Sequence, residues 1–117
     1  MPEQETIFHK IITGDAPAEI VYEDEEVIAF KDINPQAPVH IILIPRNTDP
    51  ESLNDVSRAD ERVLGHLLFA AAKIANKEGV AESGYRVVIN TGTSAGQSVD
   101  YLHVHLLGGR DLTWPPG

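Results

Sequence analysis

An α+β domain is the fold class this 117-residue sequence predicts, and three observations lead there. Five short apolar runs, rich in β-branched residues or alternating in polarity, are separated by turn residues. One long stretch, near residues 58–77, repeats its apolar residues at helical spacing. Most connections between the strands are too short for parallel crossovers, so the sheet should be antiparallel with helices on one face.

The elements follow in order. In "TIFHKIITG", Ile7, Phe8, Ile11 and Ile12 have helical spacing, and Gly14 is placed to end a short helix. "EIVYEDEEVIAFKDI" reads as two strands, Glu19–Tyr22 and Val27–Asp32, around an acidic turn. The prolines of "NPQAP" make it a loop. "VHIILIP" is a β-branched strand ended by Pro45. Asp49-Pro50 reads as a helix start, with a carboxylate cap and proline in the first position. The long helix should run from Arg58 to Lys77. Ser57 can cap it and Gly79 follows it, with Val63, Leu64, Leu67, Leu68, Ala71, Ile74 and Ala75 as its buried stripe. "YRVVIN" is a strand, "TGTSAGQSV" a loop of small polar residues, and "YLHVHLLGG" the last strand. Strand periodicity turns Leu102, Val104 and Leu106 toward the helix, and Tyr101, His103 and His105 to the other face.

Composition narrows the function classes. The length suits one domain, residues 1–117, with a modest core. The apolar content of 42% is in the globular range, and no run approaches a membrane span. The N-terminus lacks the basic start and apolar stretch of a secretory signal, and there are no cysteines, so the expected location is cytoplasmic. A net charge of −9 argues against binding the backbone of DNA or RNA. It leaves room for one small nucleotide, since backbone N–H groups bind phosphate without a basic surface.

His103 and His105 admit three readings. Residues two apart on a strand stand roughly 6.5–7 Å apart on one face, so both rings can meet one small ligand. They are then two half-buried rings, or zinc ligands with His40 as the third, or a catalytic pair. The loop before them, with two glycines, two serines and two threonines, can direct N–H groups and hydroxyls at an anion. An anion loop leading into two histidines fits phosphorus chemistry, with histidine as nucleophile or acid–base.

The segments "IFHKII", "AFKDINPQAPVHIILIP", "GYRVVINTG", "GQSV", "LHVHLLGGR" and "WPPG" together resemble the histidine triad (HIT) superfamily, in its Hint branch of nucleoside phosphoramidases. The family pattern is His-x-His-x-His and two apolar residues. Here Tyr101 replaces the first histidine of the triad.

The resemblance implies a metal-free, cofactor-free hydrolase of purine nucleoside 5′-phosphoramidates. His103 would attack the α-phosphorus to form a nucleotidyl-histidine that water then cleaves. His105 would touch a phosphate oxygen or assist the leaving amine, and His40 matches an additional active-site histidine. Ser98, Gln97 and Gly96, from "GQSV", would meet phosphate and amine. Asp32 would bind both ribose hydroxyls, Ile7, Phe8 and Ile33 would clamp the base, and Asn90 would contact sugar or phosphate. Family members are homodimers whose sheets join into one of ten strands, and Trp114 would reach the partner's site. Tyr101 would stand beside His103 and support it through its ring and hydroxyl. His9 and His66 match no family site and read as surface or packing residues. Two other readings remain: a nucleotide-binding module that has lost catalysis through Tyr101, and a zinc protein with three histidine ligands.

Overall fold

Apolar residues on alternate strand positions divide between the two faces of a single sheet. The computed structural model describes residues 5–47 and 49–117. Its elements are α1 (Ile7–Thr13), β1 (Ile20–Glu23), β2 (Val27–Lys31), β3 (Val39–Pro45), α2 (Glu61–Lys77), β4 (Tyr85–Val88) and β5 (Val104–Gly108). The strand order is β1-β2-β3-β5-β4, and every neighbouring pair is antiparallel. This is the expected α+β architecture of five strands with one long and one short helix. No helix among the described residues is long and apolar enough to cross a membrane.

Val27, Ala29, Ile41, Leu43, Val104 and Leu106 face α2 and pack on its Leu67, Ala71 and Ile74. Each fully buried aliphatic side chain contributes about 1.5–3 kcal/mol. The intervening residues Ile28, Phe30, Ile42 and Ile44 face the other way and pack with Phe8 and Ile11 of α1. The helices therefore lie on opposite faces, not on one as the short connections suggested. Because α1 has only seven residues, it covers part of its face and leaves room beside it for a cavity.

Local chemistry sets the ends. Thr6 and His9 form a reciprocal cap on α1. The Thr6 N–H donates to His9 Nδ1 at 2.9 Å, and the His9 N–H donates to the Thr6 hydroxyl. Gly14 ends the helix at φ 85°, a left-handed conformation that only glycine adopts at little cost. Asp49-Pro50 starts no helix. The turn there is Leu53–Asp55, capped by the Ser52 hydroxyl, which accepts the Asn54 N–H. Residues Arg58–Asp60 form a tight 3-10 turn before α2, because the Asp60 carboxylate reaches back to the Ser57 N–H. Leu68 is half exposed, so the stripe on α2 is narrower there than its spacing predicts, and Ala70 joins it.

His66 has a structural role. Its Nε2–H donates to Asp24 Oδ2 at 2.8 Å, and the same carboxylate accepts from the Tyr22 hydroxyl and the N–H groups of Glu26 and Val27. Burial alone would raise the Asp24 carboxyl. The hydrogen bonds from Glu26, His66, Tyr22 and Val27 outweigh it and hold the group well below the carboxylate range. The β1–β2 turn is thereby tied to α2.

Candidate active site

A cavity of about 560 Å³ lies against the α1 face of the sheet. The β3–β5 register opposes Ile42 to His105 and His40 to Leu107, so His40 and His105 are diagonal neighbours on that face. Pairing of β5 begins only at Val104. Just before it, the Tyr101 N–H bonds the Val99 carbonyl at 2.9 Å and turns the chain into the strand.

The hydrogen bonds assign the protons. A ring nitrogen that faces an amide N–H must accept, and one that faces a carbonyl must donate. The Gln36 N–H donates to His40 Nδ1 at 3.0 Å, so the proton of neutral His40 is on Nε2. That Nε2–H donates to His105 Nδ1 at 2.9 Å, which leaves the His105 proton on Nε2. His103 Nδ1–H donates to the Tyr101 carbonyl at 2.6 Å. The His103 lone pair is therefore on Nε2, and the residue lines the cavity.

All three rings favour the neutral form. Burial lowers the pKa of His103, partly opposed by the Tyr101 carbonyl and by Asp32. Burial likewise lowers His40 against the pull of Asp32. His105 is pushed down to about 4, by burial first and then by its neighbours His103 and His40. A neutral imidazole at working pH is a nucleophile, where an imidazolium is not.

Most of the expected residues gather here. Ile7, Phe8, Asp32, Ile33, Ser98, His103 and His105 all line the cavity. Phe8 packs edge-on against His103 with ring centres 5.0 Å apart. Ile33 stands at the rim and is 97% exposed. Asp32 Oδ1 accepts the Asn34 N–H, and Oδ2 lies 3.4 Å from His40 Nε2. His40 sits behind His105, buried, and does not line the cavity.

Other residues lie elsewhere. Asn90, Gly96 and Gln97 are outside the lining. Three of the loop's N–H groups are spent on its own turn: Ala95 and Gln97 donate to Gly92, and Gly96 donates to Thr93. The Gln97 side chain is also committed, since its oxygen accepts the Gly92 N–H and its nitrogen donates to the Glu51 and Val99 carbonyls. Gln97 thus staples the loop, and the loop offers the cavity Ser98 and Val99. Trp114 is 82% exposed and packs on nothing in its own chain that would bury it.

Tyr101 differs most from expectation. Its ring is buried between Phe8 and His9, and its hydroxyl donates to the Pro45 carbonyl. The hydroxyl is thus turned away from His103. What reaches His103 is the Tyr101 backbone carbonyl. Burial pushes the phenol up to about 12, so it stays neutral.

Sequence reasoning missed Ile11, Ala16, Pro17, Ala18, Phe30, Lys31, Ile42 and Val99 as lining residues. For Phe30 and Ile42 the signal was strand parity, hidden because "VIAF" and "IILI" are apolar on both faces. The connector 16–18 carries no such signal.

A metal reading can be tested on the same bonds. Asp32, His40 and His105 place one donor atom each within 4.8 Å of one another, a set that differs from the three histidines expected. His40 Nε2 bears a proton while Gln36 holds Nδ1, so it has no lone pair to give. Its 2.9 Å contact with His105 is also short: two nitrogens on a tetrahedral zinc stand about 3.3 Å apart. His103 keeps an Nε2 lone pair but is not part of this cluster. The donors do not fit a zinc ion as arranged.

Residues 13–112 match the HIT domain family. The purine nucleoside phosphoramidase of Escherichia coli (strain K12) is 53% identical over 109 residues, which cover 93% of this chain and 91% of that protein. A 14 kDa zinc-binding protein of Zea mays is 53% identical over 120 residues, covering 100% of this chain and 91% of that protein. A HIT family hydrolase of Legionella pneumophila Philadelphia 1, a solved structure, has a TM-score of 0.92 at 46% identity, covering 97% of this chain and 100% of that one.

Proposed function

The chain belongs to the HIT domain family, and on that premise we propose that it is a nucleotide hydrolase that cleaves the P–N bond of purine nucleoside 5′-phosphoramidates. One observation carries the reading. His103 donates its Nδ1 proton to the Tyr101 carbonyl and so keeps an Nε2 lone pair in a cavity of nucleotide size.

In the proposed reaction, His103 Nε2 attacks the α-phosphorus and the P–N bond breaks. The amine leaves with its electron pair and takes up a proton, and a nucleotidyl-histidine remains. Water then attacks the phosphorus, displaces the imidazole and yields the nucleoside monophosphate. Dividing one displacement into two is the advantage of a covalent route. His105, with its proton on Nε2, donates a hydrogen bond to a phosphate oxygen or to the departing nitrogen. His40 orients it. Asp32 takes the ribose hydroxyls on its two oxygens, and Ser98 meets the phosphate. Ile7, Phe8, Phe30 and Ile42 supply the apolar walls for the base. No step is routed through a metal.

We further propose that the protein is a cytoplasmic homodimer whose sheet continues at the edge strand β4, with Trp114 reaching the partner's cavity. Light scattering should then give twice the 12.8 kDa chain mass, and a monomer at micromolar concentration would contradict it. The activity itself is tested with adenosine 5′-phosphoramidate, by following release of ammonia and of adenosine monophosphate in equal amounts. Tight binding of the monophosphate with no turnover would replace the hydrolase with a nucleotide-binding module.

A further inference from the structure

Tyr101 occupies the one position at which the triad departs from the family pattern, and its side chain does not enter the cavity. It is 3% exposed and held at two points. The hydroxyl donates to the Pro45 carbonyl at the end of β3, and the amide donates to the Val99 carbonyl at 2.9 Å. The ring is wedged edge-on against His9, with centres 4.8 Å apart, and against Phe8 at 5.9 Å. Between these anchors lies the residue's own carbonyl, which accepts His103 Nδ1–H at 2.6 Å. A carbonyl can only accept, so its place decides which nitrogen of His103 keeps the lone pair.

We propose that Tyr101 is a positioning residue: its hydroxyl, anchored on Pro45, fixes the carbonyl that locks His103 in the Nδ1–H form. The role differs from a direct contact with phosphate. It accounts for a tyrosine in a triad position, because a phenol reaches across to β3 while the main chain serves the neighbouring ring. The kinetic consequence rests on His103 being the nucleophile, whereas the tautomer does not.

Nitrogen-15 NMR of the histidine rings tests the lock in the free protein. Wild type should show His103 with its proton on Nδ1 alone. Tyr101→Phe should give a mixture of both tautomers. Its kcat should fall about tenfold, the equivalent of ~1.4 kcal/mol, with KM unchanged within about twofold. Tyr22→Phe removes a hydroxyl from the opposite face, where it bonds Asp24, and should leave both the tautomer and kcat as in wild type. A wild-type His103 protonated on Nε2 overturns the proposal. So does a Tyr101→Phe protein with an unchanged tautomer, or an equal loss of kcat in Tyr22→Phe. If wild type proves inert on phosphoramidates, the tautomer comparison still decides the positioning role.

Discussion

His40 donates its Nε2–H to His105 Nδ1 across 2.9 Å, between strands β3 and β5, and it does so because the Gln36 N–H occupies His40 Nδ1. The backbone of one loop thereby sets the protonation pattern of two rings. His40→Ala should leave the Gln36 N–H and His105 Nδ1 without their partners. A lost bond of this kind costs about 1–3 kcal/mol. Steady-state kinetics should show kcat/KM lower by about ten- to a hundredfold, with binding of adenosine monophosphate less affected. Unchanged kinetics would mean that His105 is oriented without His40.

Acid should weaken the fold. The histidine rings of the site have folded pKa values below the unfolded value of 6.5, and that of His105 is about 4. The unfolded chain therefore binds more protons in this window, so stability rises with pH across it. It is retained above the unfolded pKa and lost as pH falls toward about 4. Thermal melts should show Tm decreasing from pH 7 to pH 4, and His105→Asn should flatten that slope. An equal slope in the variant would place the acid sensitivity elsewhere.

Much of this site was legible because spacing encodes it. His103 and His105 share a face by strand period, and the alternate residues Leu102, Val104 and Leu106 do pack under α2. Asp32 and Ser98, far apart in sequence, needed the resemblance to be drawn to the same place. What stayed hidden depends on contacts between distant segments. The Tyr101 hydroxyl could have faced His103, and only the position of Pro45, 56 residues away, turns it aside. Gln97 looked like a phosphate contact because nothing local reveals that Glu51 takes one of its amide protons. The short connections point to both helices on one face, and α1, with seven residues, is too short for its stripe to say otherwise.

The zinc reading is tested by metal analysis beside the assay. Since His40 Nε2 carries a proton, the cluster of Asp32, His40 and His105 should bind zinc weakly. Purified protein should contain far less than one zinc per chain, and a chelator should leave turnover unchanged. Stoichiometric zinc with chelator-sensitive turnover would show that the ion displaces the proton and breaks the Gln36 bond, and the zinc assignment would then stand.

The strongest test falls on the nucleophile. His103 lines the cavity, is 4% exposed, and packs edge-on against Phe8, so His103→Ala removes a ring without removing Asp32, Ser98 or the apolar walls. The variant should keep affinity for adenosine monophosphate within about tenfold, because one neutral hydrogen bond contributes only about 0.5–1.5 kcal/mol. Turnover should fall by several orders of magnitude, since the covalent route has no other group in place to carry it. Acid-labile adducts can be sought directly. Wild type quenched during turnover and digested should yield a peptide in which the nucleoside monophosphate is joined to His103 through phosphorus and nitrogen. His105→Ala should still form that adduct, more slowly, since it removes a donor and leaves the attacking nitrogen. An adduct on His105, or an active His103→Ala protein, would move the attack to another ring and undo the assignment made from the Tyr101 carbonyl.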